Sequence, residues 1–533
     1  MSTQKNALNN RQVLRAAFIV LLGFLASGLL GLVRSAVFNA TLGADSASDA
    51  FYAAQRIPET IFVLVAGGAL GSSFIPVFNR FFAANDEEGA WRLASSVMTC
   101  AALIATLISI LFIITAPTIV PTLLVPEDSP ASQALTVELT QWLMITVVIF
   151  SISGLLMGIL NARQLFLYPS IALSMNNIGQ IFGALVLTRL FPPEKAVYGL
   201  VLGAILGSAL HLIVQLPGLR GIGAKLRFLP DPRVKGTREV LFLMGPRVLG
   251  LAVVQLNFIV NVNLTSGMIH GSRSVFINAW NLMFFALGMI AQSMGTAVFP
   301  TLSALAAQGD MQGFKERLNV AMRNVLFLAL PSTVGLIVLG QVLIGLLFER
   351  GAWTSEDTAG TAWAIMFLAI GIAGHSLLEL LARAFYALSD TKTPVFIGVI
   401  AMAMNILLSI VFIRFIGDPN SLARGAFAGL GLANALTTLA EAGVLWILLR
   451  RRIGDLGDRM IVVESAKTLI ASVGMGIVIL LILPVLQTSS LWVQALVAGG
   501  IAAIVFFALA FILGVSSVRT VPQMILRRFR RSG

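Results

Sequence analysis

The chain has 533 residues, 57% apolar and only 11% charged, with a mean hydropathy of +0.92, whereas soluble domains carry charge on roughly a quarter of their residues. An ordinary soluble protein is excluded, and a large soluble domain does not fit beside the apolar runs, each long enough to supply the ~20 residues of a membrane-crossing helix. The net charge of +12 comes from 36 Lys and Arg against 24 Asp and Glu; these bases sit mainly in short links between apolar runs, a pattern of membrane topology rather than nucleic-acid binding.

In chain order, a polar start through Asn10 leads into a long apolar stretch with no small-residue cleavage site, so a retained first helix is expected. Gly, Pro and charge punctuation then divides the chain into about fourteen spans, beginning near residues 12, 50, 91, 132, 168, 195, 237, 273, 314, 357, 392, 425, 461 and 491. The expected fold is an all-α polytopic membrane protein. An even number of spans puts both termini on one side. The links on that side hold most of the bases, among them Arg80, Arg92, Arg163, the runs Arg220 to Arg238 and Arg450 to Arg459, and the tail arginines Arg527, Arg528, Arg530 and Arg531. Both termini are therefore expected in the cytoplasm.

The longest polar link, residues 218–236, mixes Leu, Ile and Phe with Arg220, Lys225, Arg227, Arg233 and Lys235. It reads as an amphipathic segment facing anionic membrane lipids. It also falls where a two-lobed transporter places its connector. Shifting residues 71–106 by 224 positions aligns Gly71 with Gly295, Pro76 with Pro300, Asp86 with Asp310 and Gly89 with Gly313. A shift holding six spans implies a parallel repeat. The expected organisation is a first lobe at 1–217, the linker at 218–236, a second lobe at 237–455, and two extra helices with a basic tail at 456–533. Such a bundle is suited to alternating access.

Ionisable side chains inside spans are costly and tend to face a cavity or a partner. In the first two spans these are Arg34, Asp49 and Arg56; Asp49 and Arg56 lie about two turns apart on one helix face. They read either as a structural ion network or as a polar cavity wall that favours an anionic ligand. Arg247, after Gly245 and Pro246, is expected to snorkel to the basic interface. His375, Glu379 and Arg383 make an i, i+4, i+8 stripe, read either as a proton-coupling element or as structural packing. Pro58 and Pro76, with Gly67, Gly68 and Gly71 between them, mark a possible bending gate, and the run Gly199, Gly203, Gly207 permits close helix approach. Trp91, Trp142, Trp353 and Trp492 are expected as interface anchors. The lone Cys100 and the scattered His211, His270 and His375 give no metal site, and no nucleotide loop or converging catalytic groups point to an enzyme; no cofactor is expected.

The segments SGLLGLVRS (27–35), LGADSASDAFYAAQRIP (42–58), GGALGSSFIPVF (67–78), MGTAVFPTLS (294–303) and ALSDTKTPV (387–395) resemble the MurJ/MviN family of lipid II flippases. That family lies in the MOP superfamily with multidrug (MATE) and polysaccharide exporters. The resemblance implies two six-helix lobes plus two helices, cytoplasmic-membrane residence in a bacterium, and movement of a lipid-linked disaccharide-pentapeptide to the outer leaflet for peptidoglycan synthesis. It places Arg34, Asp49 and Arg56 in the cavity that receives pyrophosphate and sugars, with Arg273 and Asn281 as further substrate-binding candidates. The chain departs from the family pattern at Gly28 and Asn281, where the family has arginines, at Ser35, where it has an aspartate, and at Phe62, Val63 and Gly67, where it has a basic pair and an acid. Two readings follow. One is a flippase working with a reduced basic set. The other is an altered relative, either an exporter of another amphiphile or a non-transporting scaffold of the same fold.

Overall fold

The computed structural model describes residues 10–64 and 69–518, all of them in helices or connecting turns. The tail arginines and Gly67 lie outside the described residues. Contacts divide the chain into two compact units, Met1–Gly267 and Met268–Gly533.

The first unit contains α1 (Asn10–Leu42), α2 (Ser46–Phe62), α3 (Ala69–Ala83), α4 (Glu87–Ile119), α5 (Pro130–Ala162), α6 (Leu167–Leu185), α7 (Val197–Ile213), α8 (Leu216–Gly221) and α9 (Thr237–Leu264). The second contains α10 (Ser272–Leu287), α11 (Ser293–Ala307), α12 (Met311–Phe348), α13 (Ser355–Ile370), α14 (Ile372–Ala387), α15 (Lys392–Phe412), α16 (Ala428–Ile453), α17 (Asp458–Leu486) and α18 (Leu491–Ile512). The unit boundary thus leaves α9, the expected seventh span, packed among the elements that precede it.

A helix begins near each expected span. Among the described residues 11 helices are long and apolar enough to cross a membrane, and α13 with α14, bent by 43°, makes a twelfth. The other two expected spans include residues outside the description: positions 65–68 lie between α2 and α3, and within α9 the apolar stretch described is Val254–Leu264. Helices α2 and α9 both supply side chains to the cavity described below.

The 224-residue shift recurs in the elements. It carries α3 onto α11 residue for residue, and the start of α4 onto the start of α12. Asp86 and Asp310 cap these helices in the same way, each accepting a 2.8 Å hydrogen bond, from Gly89 N and Gly313 N respectively. A Cβ on either glycine would sit 2.2–2.3 Å from the capping carboxylate. The D-x-x-G spacing in both repeats is therefore a cap and the space it needs. The copies also differ: α5 runs unbroken for 33 residues, while the matching stretch of the second unit is the bent pair α13 and α14.

Helices α6 and α7 meet backbone to backbone. A Cβ on Gly183 would lie 2.4 Å from Gly203 Cα, and one on Gly179 would lie 2.4 Å from Gly207 Cα. The close approach read from the glycine run is thus made against α6 at Gly203 and Gly207, while Gly199 meets the backbone of Thr188 just beyond it. The tryptophans differ from expectation. Trp142 and Trp492 are exposed, but Trp91 and Trp353 are buried. Trp91 packs edge-on against Phe78 and Phe82, and the Trp353 ring N–H donates to Thr358 at 3.2 Å. A position near a helix end does not reveal whether lipid or protein covers the ring.

A polar cavity within the first unit

Six helices of the first unit enclose a cavity of about 450 Å³. Each helix contributes one stripe at helical spacing. From α1 come Ser27 and Arg34; from α2, Gln55, Arg56, Pro58 and Glu59; from α5, Leu143, Thr146 and Phe150. The stripe on α6 is Leu173, Asn176, Asn177 and Gln180, while α7 adds Ala204 and His211, and α9 adds Gln255.

Two guanidinium groups and one carboxylate line the cavity. Arg56 pairs with Glu59 at 3.3 Å, and its guanidinium lies 4.9 Å from the centre of the Phe258 ring. Its buried Nε has no hydrogen-bond partner. Arg34 lies 6.0 Å from the Phe38 ring centre and makes no ion pair among the described residues. Arginine presents a planar fork of donors suited to phosphate or carboxylate oxygens. In a cavity walled by low-dielectric helices, the excess positive charge favours an anionic occupant.

Amides and a histidine complete the wall. Gln180 Nε2 donates to Asn176 Oδ1 at 3.2 Å, and Asn177 Nδ2 donates to Ser27 Oγ at 3.3 Å. Behind the wall, Gln215 Nε2 donates to Ser153 Oγ at 2.7 Å, and Ser153 Oγ lies 2.6 Å from His211 Nδ1. Ser153 thus engages the ring at Nδ1 from behind the wall. The ring itself lines the cavity, and an imidazole nitrogen can donate to or accept from an occupant.

The candidates from sequence are distributed as follows. Arg34, Arg56 and Pro58 share this cavity. Asp49 is buried in the first turn of α2 and is not part of its wall; the acid beside Arg56 is Glu59. Arg273, buried, and Asn281, half-buried, lie on α10 in the second unit. Gly71 and Pro76 lie on α3, and the side chain of Arg247 lies outside the described residues. On α14, His375 Nε2 is 3.0 Å from Asn434 Oδ1 of α16. Glu379 and Arg383 pair at 2.5 Å, and Arg383 Nη1 donates to Thr296 of α11 at 3.1 Å. Sequence reasoning missed Glu59, the α6 amides and His211. The polar run Asn176, Asn177, Gln180 inside an apolar helix was the available signal.

The family model described as lipid II flippase MurJ matches residues 38–502. A lipid II flippase MurJ of Burkholderia cenocepacia is 30% identical over 446 residues, covering 82% of this chain and 84% of its own. A probable lipid II flippase MurJ of Vibrio cholerae is 27% identical over 449 residues, covering 82% and 83%. Among solved structures, a lipid II flippase MurJ in an inward closed conformation superposes with a TM-score of 0.77 at 24% identity, covering 93% of this chain and 98% of that one. An inward-facing multidrug resistance MATE family transporter of the MOP superfamily has a TM-score of 0.66 at 14% identity, covering 81% and 96%. These two likenesses carry the fold, and the family match over most of the chain carries the kinship: the chain belongs to the lipid II flippase MurJ family.

Proposed function

We propose that this chain is an alternating-access flippase that moves a lipid-linked peptidoglycan precursor, lipid II, from the inner to the outer leaflet of the bacterial cytoplasmic membrane, with both termini cytoplasmic. Beside family membership, the observation that supports it most is a cavity among membrane-spanning helices lined by two guanidinium groups and one carboxylate. In this reading Arg34 and Arg56 receive the pyrophosphate. Glu59 holds Arg56 in place and yields as phosphate oxygens arrive, while the α6 amides and His211 offer hydrogen bonds to phosphate or sugar oxygens.

Arg273 and Asn281 are proposed as further contacts. Pro58, Gly67, Gly71 and Pro76 are proposed as the bending region of the second span. For His375 and Glu379 a packing role is favoured over coupling, since each already has a protein partner on one stripe that joins α14 to α11 and α16. The exposed bases Arg220, Arg233 and Lys235 of the linker are proposed to face anionic headgroups.

The test is native mass spectrometry of the detergent-solubilised protein with lipid II and with undecaprenyl pyrophosphate. Replacing Arg34 or Arg56 by Ala removes a charge-assisted contact of about 1.5–3 kcal/mol, so affinity falls roughly ten-fold or more. Binding indifferent to both substitutions would favour the altered-relative reading, an exporter of another amphiphile or a scaffold.

A further inference from the structure

A second cavity, of about 440 Å³, lies in the first unit where α4 begins and the 218–236 link passes over it. The link is not a free amphipathic helix. After α8 it runs extended, and the backbone N–H groups of Arg227 and Leu229 each donate at 3.0 Å, to Ser95 Oγ and Thr99 Oγ1 of α4. Ser96 Oγ donates to the Asp231 carbonyl at 2.6 Å. The fit follows from two repeats. Alternate N–H groups of an extended chain lie ~6.6 Å apart, and residues i and i+4 of a helix rise by ~6 Å. Ala224 and Leu226 pack against the core, so the alternation turns Lys225 and Arg227 outward on the other side.

The resulting cavity holds both signs of charge. Arg92, Lys225 and Arg227 line it together with Glu87 and Glu88, and Phe228 and Leu229 give it an apolar rim. None of the three bases forms an ion pair among the described residues, and neither does Glu88. Glu87 accepts a hydrogen bond from the Trp91 ring at 3.2 Å. Opposite charges thus share one space without meeting, which leaves room for a ligand between them. The depth is that of lipid headgroups. At 1.5 Å per residue, the 33 residues of α4 span ~50 Å against a hydrocarbon core of ~30 Å, so its charged first two turns stand outside the core. Phe228, 75% exposed, is an apolar side chain at that boundary.

We infer that this cavity is a binding site for a zwitterionic aminophospholipid headgroup, its phosphate held by Arg92, Lys225 and Arg227 and its ammonium by Glu88. A purely anionic headgroup would satisfy the bases and be repelled by Glu88. A choline headgroup would bring charge without N–H donors for the carboxylate. The leaflet is the one at the α4 start, cytoplasmic on the topology proposed above; the site itself does not depend on the transported substrate.

The test uses the full chain in nanodiscs of equal phosphatidylethanolamine, phosphatidylglycerol and phosphatidylcholine, with retained lipids identified by native mass spectrometry. The wild type should retain phosphatidylethanolamine several-fold above its share. The double variant Lys225→Gln, Arg227→Gln should lose that excess, and Glu88→Gln should shift retention towards phosphatidylglycerol. All three substituted positions are exposed, so thermal unfolding should stay at the wild-type temperature. Wild-type retention in bilayer proportion or favouring phosphatidylglycerol, or an unchanged preference in the correctly folded variants, would overturn the site.

Discussion

Arg56 was legible from sequence as a charge inside a span, but its surroundings were not. Its acid partner is Glu59, three residues on, and its ring partner is Phe258, some two hundred positions away. His211 was legible only as a histidine without metal spacing. What holds its ring is Ser153, 58 positions earlier in the chain and brought to its side by the packing of α5 on α7. His211→Leu should therefore weaken binding of undecaprenyl pyrophosphate a few-fold, about 0.5–1.5 kcal/mol, while His211→Gln, which keeps an N–H donor, should restore part of the loss. Equal affinity in all three proteins, measured by the same mass-spectrometric titration, would remove His211 from the binding wall.

Asp390, in the SDTKTP stretch that carries part of the family resemblance, belongs to the same scale. Its carboxylate accepts from Thr393 N at 3.0 Å and from Arg452 Nη1 at 2.6 Å. The Thr393 backbone bond first, then the Thr393 hydroxyl and Arg452, holds its pKa below the ordinary carboxylate value. A depressed folded-state pKa contributes stability that is fully present above the unfolded value and is lost as pH falls through the folded one. Thermal unfolding should therefore separate wild type from Asp390→Asn at pH 6, with the gap closing as the pH drops below 4. A gap independent of pH would show that the carboxylate charge is not what stabilises this turn.

Among elements, helix positions were readable because apolar runs and Gly or Pro punctuation report them directly. The partners of each helix were not. The glycine run on α7 signalled close approach without naming α6, whose Gly179 and Gly183 face it. Gly203→Ala forces Cβ to within 2.7 Å of Gly183 Cα and should cost about 1–3 kcal/mol by overpacking. Gly500→Ala, where no atom lies within 4 Å, should be neutral or slightly stabilising. Unfolding temperatures of the two variants compare a packed glycine with an open one, and similar shifts would contradict the interface.

For the whole molecule, the repeat was visible as a few Gly, Pro and Asp matches, and the structure gives them physical content. The matched residues are helix caps, their clearances and in-helix prolines at corresponding places in α3 and α11, and in α4 and α12. The division at Gly267 was not visible, because the boundary of a compact unit depends on which neighbours α9 packs against. The family, the helical fold and the arginines of the cavity together make one central claim, that the first unit holds a pyrophosphate-lipid site used in transport. The most direct measurement is translocation of fluorescent lipid II in proteoliposomes, read as the fraction made accessible to a membrane-impermeant reagent. The account predicts transport by the wild type and its loss when Arg34 and Arg56 are both replaced by Ala with the fold intact. No transport by the wild type, or transport unchanged in the double variant, would contradict it.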